Sequence, residues 1–300
     1  MRVAVLGAGA VGCLFAHALA EVAEVRLVCR RPEQAAAIAR DGLAMTADDG
    51  AETIRRVETA VSGETHPPAD LVLVCVKSYD TEAAVAANLS LFGAETVAAT
   101  LQNGLGNDAA LARFVPPERL VAGTLRGNSR RLDDRRFRRG GAGAVRLGGA
   151  AAEPVAALLR RAGFDAAATA AIRPLIWDKL FVNLAINPLT ALHRVPNGRV
   201  AEDPALWRTA EAVIREAVTV AAREGMTFDE AAVLASVRAV SLATANDYSS
   251  MEQDLTHGRR TEIDALNGAL TVIAARHGLA VPVNAALADA VRRAEAAAAI

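Results

Sequence analysis

Three glycines near the N-terminus constrain the fold more than any other feature of this chain. Gly7, Gly9 and Gly12 follow a short apolar run at 2–6 and open a helical pattern at about 11–20. After a strand, the first glycine permits a tight turn, the second lets the backbone approach a bound group, and the third lets the helix pack closely on the strand. The N–H groups at the helix N-terminus then form an anion site. This context predicts a βαβ unit that binds the pyrophosphate of a dinucleotide. The predicted loop comprises Gly7, Ala8, Gly9, Ala10, Val11 and Gly12.

The rest of the first half alternates short apolar runs with helical ones. A continuous apolar strand such as 71–76 is typical of a parallel sheet that is covered on both faces. We expect strands at 2–6, 24–29, 71–76, 96–101 and 119–123, and helices at 11–20, 32–40 and 81–88.

From residue 173 onward the pattern is almost wholly helical. Helices are expected near 174–187, 203–224, 229–243, 249–257, 262–277 and 283–299. The sequence therefore predicts an α/β protein with two domains and a cleft between them. An N-terminal Rossmann-type doubly wound sheet domain occupies 1–172, and an all-helical C-terminal domain follows at 173–300.

Composition excludes several classes of partner. The net charge is −1 and the sequence pI is about 6.5, so no overall basic field recruits nucleic acid or a membrane surface. The basic segment 126–139 lacks interleaved aromatic residues and is expected to be a solvated hairpin or loop. No apolar stretch is long enough to cross a bilayer.

The cysteines bear on the cellular compartment. Cys13, Cys29 and Cys75 fall inside predicted elements, are odd in number and lack metal-binding spacing. They are expected to be small buried hydrophobes in a reducing compartment, and no metal is expected. The sequence therefore favours a cytoplasmic protein.

The end of the second predicted strand indicates which dinucleotide binds. Chains that bind NAD usually carry Asp or Glu there, which holds the ribose 2′-hydroxyl. Here the strand ends in Arg30 and Arg31, with no carboxylate. Arginine forks suit a 2′-phosphate, although two loop arginines are also consistent with plain surface charges. The sequence predicts NADP as the cofactor.

Lysine is rare in this chain, which has only Lys77 and Lys179 among 33 Lys and Arg residues. The pKa of a lysine moves on burial, and a lysine can give up a proton where an arginine cannot. Lys77 and Asn103 each follow a predicted strand, so both are expected at the carboxyl ends of the sheet, where ligands bind. The pair Asn103-Gly104 is also typical of a simple turn.

The second lysine begins a polar series on an apolar helix. Lys179, Asn183 and Asn187 are spaced four residues apart and share one helical face. Buried polar groups cost free energy unless they meet polar partners, and a bound substrate would supply them. Hydride addition to a ketone creates an alkoxide, which an ammonium stabilises and protonates. A structural polar seam between helices is the alternative.

A further candidate lies near residue 262. Thr261 with Asp264 predicts a capping box at a helix start, and Glu262 would then lie in the first turn beside the helix dipole. Taken alone, Glu262 fits this helix-start role as well as a catalytic one.

Together these motifs resemble those of the ketopantoate reductase (2-dehydropantoate 2-reductase) family over essentially the whole chain. The matching segments are the glycine loop, Val76-Lys77-Ser-Tyr-Asp-Thr, Gln102-Asn103-Gly104, Lys179-x-x-x-Asn183-x-x-x-Asn187-Pro188, Pro196-Asn197-Gly198, Ser249-Ser250-Met251-x-Gln253-Asp254 and Arg260-Thr261-Glu262-Ile263-Asp264.

The resemblance implies NADPH-dependent reduction of ketopantoate to pantoate, a step towards coenzyme A. It implies that Lys179 is the proton donor and that Glu262 hydrogen-bonds at the reacting centre, where it also meets the cofactor. The implied substrate-binding residues are Asn103, Asn183, Asn187, Asn197 and Ser250, and the implied NADPH contacts include Arg30, Lys77 and Asn103. The expected partner is a small 2-oxo acid, and a homodimer is left open.

Two departures from the family pattern leave alternatives open. Leu125-Arg-Gly-Asn128 stands where small or hydroxyl residues are usual, and Asp247 stands where Asn is expected. One alternative is an NADPH-dependent 2-hydroxyacid dehydrogenase for another branched 2-oxo acid. The other is a non-catalytic NADP-sensing protein, against which Lys179 and Glu262 argue.

Overall fold

The computed structural model of the protein describes residues 1–47 and 49–298. The chain divides into two compact units, one formed by 1–102 and 107–172 and the other by 103–106 and 173–300. They are called the sheet unit and the helical unit below. The short segment 103–106 therefore packs with the helical unit although it follows a strand of the sheet unit.

The sheet unit contains a ten-stranded sheet in the part of the chain that is described. Its strands are β1 (Arg2–Leu6), β2 (Glu24–Cys29), β3 (Leu43–Thr46), β4 (Glu52–Arg55), β5 (Glu58–Val61), β6 (Ala69–Val74), β7 (Phe92–Thr100), β8 (Leu120–Arg131), β9 (Arg136–Gly148) and β10 (Asp165–Ala168). Its helices are α1 (Ala10–Leu19), α2 (Pro32–Asp41), α3 (Thr81–Ala87), α4 (Asn107–Leu111) and α5 (Ala152–Arg161).

Strand order confirms the doubly wound fold. Strands β5, β2, β1, β6, β7 and β8 are adjacent in that order and all parallel. The chain order reverses between β1 and β6, and ligands of open α/β sheets bind outside the carboxyl ends of the strands at such a point. The glycine loop follows β1, and Lys77 comes shortly after β6, so both lie at this edge of the sheet.

The central parallel strands are buried on both faces. In β6, Leu71 and Leu73 belong to one apolar cluster, and Val72 and Val74 belong to another. Because successive side chains of a strand point to opposite faces, one strand contributes to two cores. This accounts for the unbroken apolar run 71–74 in β6.

Several strands were not predicted from the sequence. The short strands β3, β4, β5 and β10 have four residues each and mixed or alanine-rich sequences. The basic segment 126–139, expected to be a hairpin or loop, does form a hairpin, in which β8 and β9 pair antiparallel. Its inner face contributes Phe137, which is fully buried.

The helical unit is built around the long helix α6. Its helices are α6 (Ile172–His193), α7 (Gly198–Glu202), α8 (Pro204–Arg223), α9 (Glu230–Ala243), α10 (Ser250–Thr256), α11 (Asn267–Arg276) and α12 (Pro282–Ala298). The core includes Trp177 and Phe181, whose ring centroids lie 5.8 Å apart. Within the described residues, no helix has the length and apolar character needed to cross a membrane.

The predicted helix at 262–277 is wrong at its start. A 3₁₀ turn occupies Ile263–Ala265, and α11 begins only at Asn267. The Ile263 N–H donates to Thr261 Oγ1 at 3.2 Å, which closes a local turn. The Asp264 carboxylate instead accepts from Arg260 and Arg292, so the capping box does not form.

Phe137 and Leu132 allow a test of how far the hairpin belongs to the core. Replacing Phe137 with Ala is expected to lower the free energy of unfolding by about 3–5 kcal/mol because it opens a cavity. Leu132 lies in the same hairpin but is 50% exposed, so Leu132→Ala is expected to change stability by less than about 0.5 kcal/mol. Urea denaturation followed by circular dichroism measures both effects. Equal losses of unfolding free energy in the two variants would show that Phe137 does not belong to the core.

Candidate functional site

The glycine loop combines close backbone packing at Gly7 and Gly12 with open space at Gly9. Gly7 has φ +111°, and a Cβ on Gly12 would lie 1.9 Å from the Gly7 carbonyl oxygen. A Cβ on Gly9 would have its nearest neighbour at 4.0 Å, the Cys75 carbonyl oxygen, so the space beside Gly9 is open. The bond from the Cys13 N–H to the Gly9 carbonyl, 2.9 Å long, is at the start of α1. The N–H groups that precede it have no intrahelical acceptor and fit an anion.

Arg30 and Arg31, which were predicted to bind the 2′-phosphate together, have different surroundings. The Arg31 guanidinium hydrogen-bonds to Asp134 in the turn of the β8–β9 hairpin, and this bond raises its pKa. The Arg30 side chain is 83% exposed and forms an ion pair with Asp80 at 3.3 Å. Arg31 therefore holds the hairpin turn, whereas Arg30 presents its charge to solvent beside Asp80.

Gln34 is a residue of this region that sequence reasoning missed. It is buried on α2, and its Nε2 donates to the Ala8 carbonyl at 3.0 Å and to the Asp134 carbonyl at 3.1 Å. One amide thus joins the glycine loop to the hairpin turn. No motif marked it, because its partners lie far away in the sequence.

The segment that contains Lys77 is fixed by Gln102. Gln102 Nε2 donates to the Val76 carbonyl at 2.7 Å and to Thr81 Oγ1 at 2.8 Å. The Lys77 carbonyl accepts from the Asp80 N–H at 2.9 Å, which closes the turn that follows β6. The only sequence signal for Gln102 was its place beside Asn103.

In the helical unit, α6 carries the predicted polar face. Lys179 and Asn183 are half-buried, and Asn187 is 8% exposed. Residues on the other sides of the helix belong to the apolar core, among them Leu180 and Leu184. The structure therefore keeps the polar series on one face of a helix that is otherwise packed.

Asn197 and Ser250 lie on turns that pack near the end of α6. The Thr190 hydroxyl donates to Ser249 Oγ at 2.8 Å, and Ser249 Oγ accepts from the Glu252 N–H, so it caps α10. Ser250 is the first residue of that helix and is exposed. These bonds connect the α6 segment after Asn187 to the α10 N-terminus.

Every polar atom of Asn197 except Oδ1 has a hydrogen-bond partner. Its Nδ2 donates to Thr244 Oγ1 at 3.0 Å, its N–H donates to the Asp247 carbonyl at 2.8 Å, and its carbonyl accepts from Ser241. Its Oδ1 is buried without a hydrogen-bond partner. Such an atom fits a donor group of a bound substrate. Asp247 acts here through its backbone carbonyl, so Asp in place of Asn preserves this contact.

Glu262 and Asn103 are brought to the same segment. Glu262 is 8% exposed, and its carbonyl accepts from the N–H groups of Ala265 and Leu266. The Leu105 N–H donates to the Ala265 carbonyl at 3.0 Å. Gly104 has φ +88°, and a Cβ there would lie 2.3 Å from the same oxygen. The Asn103-Gly104 turn is therefore real, and it also carries Asn103 to the Glu262 segment.

The predicted residues thus form two sets. The glycine loop, Arg30, Arg31 and Lys77 belong to the sheet unit. The helical unit holds Asn103, Lys179, Asn183, Asn187, Asn197, Ser250 and Glu262. Across residues 1–47 and 49–298, no group of three or more His, Cys, Asp or Glu residues is arranged to hold a metal ion.

Comparison with known families matches nearly the whole chain. Residues 3–152 match the model described as "Ketopantoate reductase PanE/ApbA", and residues 171–295 match "Ketopantoate reductase PanE/ApbA C terminal". A 2-dehydropantoate 2-reductase of Halobacterium salinarum is 39% identical, over 98% of this chain and 99% of that protein. A 2-dehydropantoate 2-reductase of Archaeoglobus fulgidus is 37% identical, over 98% of each chain.

Solved structures are similar over the full length. D-mandelate dehydrogenase in a ternary structure with NADH and anilino(oxo)acetate has a TM-score of 0.95 at 26% identity, covering 100% of both chains. A PanE/ApbA family ketopantoate reductase from Ralstonia eutropha has a TM-score of 0.92 at 30% identity, covering 99% of both chains.

Two alanine variants of the glycine loop are expected to separate folding from nucleotide binding. Gly12→Ala places a Cβ against the Gly7 carbonyl, so it is expected to destabilise the sheet unit itself. Gly9→Ala meets open space, so its melting temperature is expected to stay within a few degrees of the parent while nucleotide affinity falls about 10-fold or more. Thermal unfolding with and without nucleotide measures both effects. Unchanged affinity in Gly9→Ala would contradict the assignment of this loop.

Proposed function

The chain belongs to the ketopantoate reductase family, and we propose that it catalyses the NADPH-dependent reduction of ketopantoate to pantoate. The observation that carries the proposal is the polar face of α6. There Lys179, Asn183 and Asn187 interrupt a helix that otherwise packs in the apolar core. Carboxylate, ketone and hydroxyl groups of this substrate match ammonium and amide groups, which offer both donors and acceptors.

The reaction needs a hydride and a proton at the two ends of the ketone. A nicotinamide cofactor held by the sheet unit would supply the hydride to the ketone carbon. We assign the proton to the Lys179 ammonium, which hydrogen-bonds the ketone oxygen and stabilises the negative charge that develops there. As the carbon–hydrogen bond forms, the C=O π electrons move to oxygen, and the proton passes from the nitrogen of Lys179 to that oxygen.

The remaining side chains of the helical unit hold the substrate. We assign this role to Asn103, Asn183, Asn187, Asn197 and Ser250. The unpartnered Oδ1 of Asn197 supports its assignment, because it can accept from a substrate hydroxyl. Glu262 is assigned to the reacting centre, where its carboxylate accepts from the substrate hydroxyl or from the ammonium and so orients the pair. Its burial supports this role, because a hydrogen bond to a charged group is stronger in low-dielectric surroundings.

The sheet unit is assigned the cofactor. The open space at Gly9 and the N-terminus of α1 suit the pyrophosphate, and Lys77 lies at the same edge of the sheet. Arg30 is assigned the 2′-phosphate, because its guanidinium is exposed, whereas that of Arg31 is bound to Asp134. Arg31 supports this site by holding the hairpin turn.

A reducing, cytoplasmic location is part of the proposal. Cys13 and Cys29 are buried, and burial raises the pKa of both thiols, in Cys29 to about 12. Burial also raises the pKa of Cys75 to about 12. Such thiols act as small apolar side chains rather than as nucleophiles.

An assay of NADPH oxidation with ketopantoate tests the proposed reaction. The absorbance at the nicotinamide band is expected to fall only when both ketopantoate and the enzyme are present. Tight NADPH binding without turnover of any 2-oxo acid would contradict the proposal and favour a sensing protein.

A second candidate is a 2-hydroxyacid dehydrogenase with another substrate. The full-length similarity to D-mandelate dehydrogenase favours it. Against it, the departure at Leu125 places a leucine in the sheet core, where it is 4% exposed, and Asp247 acts through its backbone. The ratio of kcat/KM for ketopantoate to that for phenylglyoxylate, the 2-oxo acid that corresponds to mandelate, distinguishes the two. A higher value for phenylglyoxylate would overturn the first candidate.

Single substitutions at Arg30 and Arg31 are expected to differ. Arg30→Ala removes a charge-assisted contact to the 2′-phosphate, so KM for NADPH is expected to rise about 10- to 100-fold while KM for NADH hardly changes. Arg31→Ala is expected to loosen the hairpin turn, which affects both cofactors alike and lowers thermal stability. Steady-state kinetics with each cofactor measure these effects; equal effects of Arg30→Ala on both cofactors would show that it does not bind the phosphate.

Removal of the proposed proton donor is expected to affect the chemical step. Lys179→Ala should lower kcat by about 10²- to 10⁴-fold with little change in NADPH affinity. Lys179→Arg should restore little activity, because a guanidinium keeps the charge but does not release a proton at neutral pH. Arg208→Ala, which removes an exposed cation of the same unit, is the control and should leave kcat unchanged. Near-full turnover by Lys179→Arg would contradict the assignment.

A further inference from the structure

Helix α6 contains a break in its hydrogen bonding close to the polar face. Pro188 lies inside the helix and has no N–H, so the carbonyl of Leu184, four residues earlier, receives no backbone hydrogen bond from it. Leu184 is fully buried, so water is not at hand to replace that bond. A buried carbonyl without a partner costs free energy, and another group of the protein must satisfy it.

That group is the side chain of Asn267. Its Nδ2 donates to the Leu184 carbonyl at 3.2 Å, and Asn267 is 0% exposed. The same nitrogen donates to Asn284 Oδ1 at 2.9 Å, so both amide hydrogens are used. The Oδ1 of Asn267 is buried without a partner. The Asn267 side chain therefore contributes two N–H donors and no accepted hydrogen bond.

The orientation of the Asn267 amide is fixed by its neighbours. Asn284, also 0% exposed, donates from Nδ2 to the Val213 carbonyl at 3.2 Å and to Glu216 Oε2 at 2.8 Å. Because a carbonyl accepts only, Nδ2 of Asn284 must face Val213 and its Oδ1 must face Asn267. Asn267 therefore has to present its NH₂ group to both acceptors.

This contact joins the two segments that carry the proposed catalytic pair. Leu184 lies five residues after Lys179 on α6, and Asn267 lies five residues after Glu262 at the start of α11. We propose that Asn267 is a positioning residue that replaces the N–H missing at Pro188 and so holds α6 in register with the Glu262 segment. The role rests on the proposed function, since it matters for turnover only if Lys179 and Glu262 act together.

Two variants and their combination test the contact. Asn267→Ala leaves the Leu184 carbonyl unsatisfied, whereas Pro188→Ala supplies a backbone N–H at position 188. Asn267→Ala is therefore expected to destabilise the protein less in the Pro188→Ala background than in the parent. Urea unfolding of the four proteins measures this coupling without any substrate. Equal losses of unfolding free energy in both backgrounds would show that Asn267 does not replace the missing N–H.

Turnover tests the positioning role. Asn267→Ala is expected to lower kcat for ketopantoate about 10- to 100-fold, because small misplacements of reacting groups slow the chemical step strongly. KM for NADPH should stay within about twofold, and the double variant with Pro188→Ala should regain part of the lost kcat. The pH profile of kcat should also shift, since the surroundings of Lys179 change. If Asn267→Ala does not fold, Asn267→Leu takes its place, because leucine has nearly the shape of asparagine but cannot donate to Leu184.

Thr271→Ala is the matched control on the same helix. Its hydroxyl donates to the Gly268 carbonyl at 2.6 Å within α11, so its loss lowers stability without touching α6. Its kcat and pH profile should equal those of the parent. A folded Asn267→Ala protein with parental kcat and pH profile would overturn the positioning role. Absence of ketopantoate reduction in the parent protein would instead contradict the proposed function. Urea unfolding of the four proteins would still show whether Asn267 replaces the missing N–H.

Discussion

Desolvation of the polar groups on α6 is the constraint on which the helical unit depends. The helix runs through an apolar core, so every carbonyl and amide on it must find a partner inside the protein or in a bound molecule. The Leu184 carbonyl is satisfied by Asn267, and the Thr190 hydroxyl by Ser249. These bonds reach α11 and α10, whose N-terminal ends adjoin Glu262 and Ser250. The bonds that satisfy the polar groups of one helix therefore also hold the segments that carry residues assigned to the substrate.

A different constraint shapes the sheet unit, where backbone must approach backbone closely. A side chain at Gly12 would collide with the Gly7 carbonyl, so α1 packs against the strand–helix turn only with glycine there. The hairpin of β8 and β9 then reaches this region, with the Ser129 hydroxyl donating to the Ala10 carbonyl at 3.0 Å. Arg31 and Gln34 hold its turn. Contacts within the protein itself thus hold the N-terminus of α1, the proposed anion site.

Local patterns in the sequence were enough to predict five of the six consecutive parallel strands, all but β5, and most helices. The bounds of β1 and β2 agree with the predicted 2–6 and 24–29, since each is a short apolar run closed by a turn. The polar series on α6 was also visible, because its spacing is a property of the helix itself. The strands β3, β4, β5 and β10 were not, because four-residue strands depend on partners far away in the sequence.

Tertiary contacts decided what the sequence left open. Thr261 and Asp264 have the spacing of a capping box, but Arg260 and Arg292 bind Asp264 and the helix starts later. The sequence does not distinguish Arg30 from Arg31. In the structure they have different partners, since Arg31 binds Asp134 and Arg30 pairs with Asp80. Asn267 and Gln34 carried no motif, since their roles follow from carbonyls on distant segments.

A crystal structure of the protein with NADP and pantoate bound would test most directly whether Lys179 is the proton donor. We expect the Lys179 ammonium to lie within about 2.6–3.2 Å of the C2 hydroxyl oxygen of pantoate, with Glu262 at the same centre. A structure in which Lys179 contacts only the pantoate carboxylate, or in which pantoate binds away from the polar face of α6, would contradict it.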